Sequence, residues 1–351
     1  MEQPTQKQQQ ILDILQGGGF FSSSEVHAQL AGRGVDISLV TVKRTIAETL
    51  EQGLVLTEGA GPSTAYTIST RGRIVSSIDA RSYCSTEPDA RSGMSTYNFD
   101  LFPEFPQNIF STRELEVLEA ATGEYEQRTD GATPTIQKKE LERLVIELSW
   151  KSSRIEGNTY TLLDTEKLIL EHKEAPGKTK EEAQMILNHK DAFTFIHEHK
   201  REYKTLSRAN VEHIHTLLTK DLNIDAGLRK HAVGVLGSKY MPLDNVHQIR
   251  DVVEQMIDAV NRAENPYTKA LLALLGTSYI QAFGDGNKRT GRLVANAILM
   301  AYGRAPLSYR SVDEETFREA MLVFYELNSV IPMKEIFIDQ YQFAAKNYAV
   351  R

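Results

Sequence analysis

The sequence predicts a mainly α-helical chain in which a small α+β unit precedes a larger helical domain. Three observations carry this expectation. The first 70 residues hold three helical apolar stripes followed by two short strand patterns around a Gly-rich turn. From Ser111 onward the apolar residues recur mostly at three- and four-residue steps. Two almost wholly apolar runs, 270–280 and 293–301, bracket one polar stretch at 281–292 and read as a buried helix pair.

At 351 residues the chain is too long for one small core, so two or more domains are expected. Hydrophobic residues make up 41% and charged residues 25%, as in ordinary globular proteins. The net charge of −7 gives no global basic footprint, so nucleic-acid contact would need a local patch. One cysteine, Cys84, excludes an intramolecular disulfide and fits a reducing cytoplasm, the expected location. No basic segment followed by an apolar one opens the chain, and no run approaches the ~18 apolar residues of a membrane span, so no membrane partner is expected.

The opening unit, residues 1–70, starts with a helix over 7–15 carrying Ile11, Ile14 and Leu15 inward. Ser22-Ser23-Ser24-Glu25 supplies cap residues for a second helix over 26–30. A third spans 38–50 with Val42, Ile46 and Leu50 inward, and strands follow at 53–56 and 65–68. This order resembles a winged helix-turn-helix. Its recognition helix would present Ser38, Thr41, Lys43, Arg44 and Thr45 for phosphate and base-edge contact. Two readings stay open: DNA binding, or a protein-contact module that pairs copies of the chain as a homodimer. Residues 71–110, with scattered Ser and Pro, read as a partly ordered linker.

The helical domain spans 111–351. Ser111-Thr112-Arg113-Glu114 caps its first helix. A second, over about 138–157, ends in Ser152-Ser153-Arg154-Ile155-Glu156-Gly157, with Ser152 and Glu156 on one face and Gly157 as the stop. Helices follow at 161–172, 180–200, 207–218 and 245–259, and the tail 312–350 is helical. The histidines scattered among them have poor metal spacing and read as core or surface residues. Val233 and Val235 alternate before a Gly-Ser turn, so 227–242 predicts a short hairpin, Val233-Gly234-Val235-Leu236 forming its first arm.

The polar stretch reads as an anion site. Gly284 and Gly286 let the backbone turn its N–H groups inward, and the following helix adds its positive dipole end. Asn287, Lys288, Arg289 and Arg292 complete the set, the two arginines lying at i and i+3 so that both guanidinium groups can clamp phosphate oxygens. Asp285, beside them, is placed to hold Mg²⁺.

Phe283, Asp285, Gly286, Asn287, Arg289 and Arg292 resemble the Fic motif His-Pro-Phe-x-Asp/Glu-Gly-Asn-x-Arg-x-x-Arg, with Ala282 in place of Pro and Gln281 in place of His. The stretch Ser152 to Gly157 resembles the inhibitory motif of the same family. The resemblance implies a Fic-type helical domain with a β-hairpin flap. It implies transfer of AMP from ATP to a protein Ser, Thr or Tyr hydroxyl, with Mg²⁺ on Asp285 and phosphates on Arg289 and Arg292. It also implies that Glu156 pairs with Arg292 and restrains the site, and that the flap docks a target protein by strand addition. Gln281 stands where the motif base belongs, and an amide accepts a hydrogen bond but not a proton near neutral pH. Three explanations follow: a silent ATP-binding sensor coupled to a DNA-binding winged helix, a substitution made to disable the protein, or another base, with His231 as the candidate.

Overall fold

The structure is a computed structural model that describes residues 3–350. Its backbone divides into two compact units. The first contains the chain up to Ile109 together with Gly234–Met241 and Glu319–Lys334; the second contains Phe110–Val233, Pro242–Arg318 and the remainder from Glu335.

In the first unit, α1 (Gln6–Leu15), α2 (Ser23–Gly32) and α3 (Leu39–Glu51) precede an antiparallel ribbon of β1 (Val55–Glu58) and β2 (Ala65–Ile68), registered with Val55 opposite Ile68. Capping explains the starts. Thr5 with Gln8 and Ser22 with Glu25 satisfy the first free amides of α1 and α2 reciprocally. Ile11, Leu15, Val26, Val42 and Ile46 close the core between the helices. On α3 the inward set differs from the sequence expectation: Thr45 and Thr49 are buried, while Leu50 is 39% exposed. The Thr49 hydroxyl donates back to the Thr45 carbonyl, which lets that face go inward.

Residues 71–110 are not a tether. Through α4 (Thr70–Val75), α5 (Ala80–Cys84) and turns they fold into the first unit as far as Ile109, and Phe110 belongs to the second. The organising group is the buried carboxylate of Glu326. Its Oε1 accepts from Arg91 at 3.1 Å and from Ser238 at 2.7 Å; its Oε2 accepts from Tyr83 at 2.7 Å. Arg91 also donates to the carbonyls of Thr86, Cys84 and Gly237. Lys239 in turn donates to the Arg91 carbonyl. These bonds tie 83–95, 234–241 and 319–334 into one knot.

The expected hairpin at 227–242 does not form. Among the described residues the one sheet is the β1–β2 ribbon, and 233–241 holds a single turn, Ser238 N–H donating to the Val235 carbonyl. The two arms bond to different parts of the chain instead of to each other: the Arg229 N–H donates to Ala282, and the Met241 N–H to Ser95.

The second unit is helical. It holds α6 (Thr112–Gly131), α7 (Pro134–Ile155), α8 (Leu162–Glu171), α9 (Lys180–Glu198), α10 (Arg208–Thr219), α11 (Val246–Arg262), α12 (Pro266–Ile280) and α13 (Asn287–Ala301). The following helices, α14 (Glu314–Leu327) and α15 (Ile331–Asn347), each cross the boundary between the units. The paired runs α12 and α13 are buried nearly all round. They cross closely because Gly291 lacks a side chain: a Cβ there would lie 2.8 Å from the Leu274 carbonyl oxygen. That crossing fixes the polar loop between them.

Candidate functional site

The loop 281–286 is held by its own side chains. Gln281 ends α12 in the left-handed region at φ 51°. Its Nε2 donates to the Ser278 carbonyl at 2.7 Å, and its Oε1 accepts from Asn287 Nδ2 at 3.1 Å. Asn287 also brackets Phe283, accepting from its N–H at 2.9 Å and donating to its carbonyl at 2.8 Å. Gly286 turns the chain into α13 at φ 80° and provides no side-chain cap. Each of α6 to α12 has such a cap, so the free amides at the start of α13 stand apart. A helix start of this kind favours an anion.

The cations converge on it. Arg289 and Arg292 are both buried. Arg289 reaches Asp285 at 3.0 Å, and Asp285 is otherwise two-thirds exposed (67%). Arg292 donates through Nε to the Ser152 hydroxyl at 2.8 Å and through Nη2 to the Ser152 carbonyl at 2.9 Å and to Glu156 at 2.8 Å. Lys288 takes the second Glu156 oxygen at 2.8 Å. Burial alone would raise the Glu156 carboxyl, but Arg292 and then Lys288 outweigh it and hold it at about 2. Gly157 follows at φ 96°, stopping α7. The turn is pinned by Glu182, whose carboxylate accepts the Thr159 N–H and hydroxyl and whose carbonyl accepts Asn158 Nδ2.

One nitrogen on each buried guanidinium, Nη1 of Arg289 and of Arg292, has no hydrogen-bond partner among the described residues. Two unsatisfied cationic donors beside an uncapped helix start suit a multiply charged oxyanion. No group of three or more His, Cys, Asp or Glu able to hold a metal occurs among the described residues. Asp285 alone, exposed and beside the anion donors, suits Mg²⁺ that arrives with phosphates, since Mg²⁺ commonly takes one or two carboxylates plus phosphate oxygens.

Residues 205–299 match the Fic/DOC family.

The Fic/DOC segment therefore contains the whole 281–292 loop, while Ser152 and Glu156 come from outside it. A protein adenylyltransferase Fic of Nematostella vectensis is 28% identical over 189 residues, 52% of this chain and 44% of that protein. The protein adenylyltransferase fic-1 of Caenorhabditis elegans is 26% identical over 159 residues, 44% of this chain and 31% of that protein. The chain thus spans less than half the length of either relative. Among solved structures, a segment of C. elegans Fic-1 superposes with a TM-score of 0.57 at 18% identity, covering 67% of this chain and 71% of that one. A Fic family protein from Desulfovibrio desulfuricans G20 gives a TM-score of 0.55 at 21% identity, covering 69% and 75%. At these identities the likeness establishes the Fic fold.

Four residues near the 281–292 loop have roles that the sequence does not signal. Lys288, counted there among anion ligands, grips Glu156. His215 stacks on Phe283 with ring centroids 3.8 Å apart, and its Nε2 donates to the Asp285 carbonyl at 2.9 Å. His189 is fully buried with neither ring nitrogen partnered; burial, Arg292 and Arg289 push it down to about 3. Arg229, also buried, donates to the carbonyls of Gln281 and His231, each at 2.6 Å, and of Leu243. The burial of His189 and His215 fits a core reading, but their places beside the arginines and Phe283 have no signal in the sequence, and Arg229 has no local signature.

The other predicted sites are distributed as follows. Val233 to Val235 lie outside any helix or strand and Leu236 opens a turn, with Leu236 97% exposed. On α3, Ser38 and Thr41 use their hydroxyls on the helix cap, Arg44 lies 3.8 Å from Glu48, and Lys43 is exposed. No described helix is long and apolar enough to cross a membrane.

Proposed function

We propose that the chain is a Fic-type protein adenylyltransferase, moving AMP from ATP to a Ser, Thr or Tyr hydroxyl, and that Glu156 restrains it. The supporting observation is the clasp on Glu156: Arg292 and Lys288, two cations of the anion loop, are both occupied by an acid from α7. In this reading the amides opening α13 and the Asn287 region cradle the α-phosphate. Arg289 neutralises the β-phosphate, and Arg292 takes the γ-phosphate once Glu156 leaves. Mg²⁺ at Asp285 would add charge neutralisation when bound. These contributions are positioning and electrostatic preorganisation. Gln281 can orient a hydroxyl through its amide oxygen but cannot take its proton. The irregular stretch Val233 to Leu236 would present its backbone to the target protein.

The test is ATP titration by calorimetry, with and without Mg²⁺, on the unaltered chain and on Glu156→Gly. Tighter ATP binding by the variant is expected; equal affinity would count against the restraint.

A second reading is a catalytically silent ATP-binding regulator whose first unit is a DNA-binding winged helix and which pairs as a homodimer. The three-helix-plus-ribbon order and the exposed Lys43 and Arg44 favour it. Ser38 and Thr41 being spent on the cap, and Arg44 lying near Glu48, weaken it. Salt-sensitive retention of random DNA, lost in Lys43→Ala with Arg44→Ala, would support this reading.

A further inference from the structure

We propose that His231 takes the hydroxyl proton that Gln281 cannot; this rests on the transferase reading above. Gln281 is committed along its own loop, its Nε2 to Ser278 and its Oε1 to Asn287. The two buried histidines nearby are committed or enclosed as well. His215 donates its Nε2 to the Asp285 carbonyl beneath Phe283, and His189 has no exposed surface.

His231 differs from both. It is exposed, and its ring lies against the anion loop: Cε1 and Nε2 are 3.7 and 3.8 Å from the point where a Cβ on Gly284 would sit. No described residue forms a hydrogen bond with either ring nitrogen, so a lone pair is available. The backbone is nonetheless fixed. One buried guanidinium, Arg229, holds the carbonyls of His231 and Gln281 together, and the Arg229 N–H holds that of Ala282. An imidazole is thus carried on the frame of the same loop that lacks one at position 281. Two residues later the chain enters the stretch assigned above to the target.

The step balances simply. The hydroxyl proton passes to a ring nitrogen of His231 as the oxygen forms a bond to the α-phosphorus. The bond from that phosphorus to the bridging oxygen breaks, and pyrophosphate leaves with the electron pair. The imidazolium then returns its proton to water.

The experiment uses ATP labelled at the α-phosphate and follows label transferred to the full-length chain and to added casein. Four proteins are compared: Glu156→Gly alone, and the same with His231→Ala, with Gln281→His, or with both. ATP titration checks that each is folded and loaded, and Glu156→Gln replaces Glu156→Gly should the latter fail to fold. Transfer by the first protein is expected to fall at least ~100-fold with His231→Ala at unchanged KM for ATP, the scale of a lost general base. Added imidazole should recover part of it, and Gln281→His should restore it without His231. Equal rates with and without His231 overturn the inference. So does silence of Glu156→Gly when Glu156→Gly with Gln281→His is active, an outcome that leaves the transferase reading intact. Silence of all four proteins with ATP bound overturns the transferase reading and this inference with it.

Discussion

Two carboxylates in this chain sit in superficially similar surroundings. Glu326 is held by Arg91 and Ser238, Glu156 by Arg292 and Lys288, and each joins parts of the chain distant in sequence. They differ in what remains unsatisfied. Around Glu326 the circuit is closed: the side chains of both acid and Arg91 are enclosed (0% and 5% exposed), and Tyr83 and Ser238 supply neutral donors. Burial and the Glu326 carboxylate push the Tyr83 phenol up, so that donor keeps its proton. Around Glu156 the circuit is open. The acid is 15% exposed, Lys288 is 37% exposed, and Arg292 keeps one nitrogen without a partner. A closed ion pair has nothing to exchange with and works as a staple. An open one can trade its acid for another anion, as a latch must.

The sharpest way to break this comparison is to remove each acid. Glu326→Ala strands the buried Arg91 charge and is expected to destabilise the first unit by about 3–5 kcal/mol, as for other broken buried pairs. Urea denaturation followed by tyrosine fluorescence measures it, and ATP should recover none of the loss. Glu156→Gly strands the equally buried Arg292, but Ser152 still accepts two of its hydrogen bonds and water reaches the partly exposed Glu156 position, so a cost of about 1–3 kcal/mol is expected. Here saturating ATP should return most of the loss, since phosphate oxygens can replace the carboxylate. A Glu326 variant rescued by ATP, or a Glu156 variant indifferent to it, would erase the distinction.

Acid titration separates the regions further. His189 is a base whose folded pKa, about 3, lies below its ordinary 6.5. The unfolded chain therefore binds the extra proton between those values, and stability falls as pH drops from 6.5 toward 3. Glu156 adds a loss of the same sign as pH drops from 4.5 toward its folded value of about 2. Each fully linked group contributes a slope of about 1.4 kcal/mol per pH unit. Denaturation midpoints between pH 6.5 and 5 should slope downward in the unaltered chain and run flatter in His189→Leu. The smallest expected effect is that of Lys288→Ala: its half-exposed pair with Glu156 should be worth at most about 1 kcal/mol, with ATP affinity changed less than in Glu156→Gly.

Much of the second unit was legible because its signals are local. Cap residues, apolar periodicity and the spacing from Ser152 to Glu156 are written within a few residues of where they act. The polar loop between α12 and α13 was legible for the same reason, its arginines and glycines lying within twelve positions. What the sequence concealed is non-local. Nothing near Arg229 indicates that it will hold the carbonyls of Gln281 and Leu243, and nothing near Arg91 indicates Glu326. The hairpin expectation failed because alternation at Val233 and Val235 describes an extended chain without naming its partner. Leu50 was expected inward and Thr45 outward on polarity, but α3 turns Thr45 and Thr49 inward, where the Thr49 hydroxyl is satisfied by the Thr45 carbonyl.

The membership of 234–241 and 319–334 in the first unit has a consequence for how the protein can be divided. A cut after Ile109 would leave Glu326 and Ser238 on one piece, and Arg91 and Tyr83 on the other. Neither fragment would inherit a complete knot. The two units are not beads on a string that could be exchanged between proteins by simple recombination; they share a woven chain and must be inherited, expressed and replaced together.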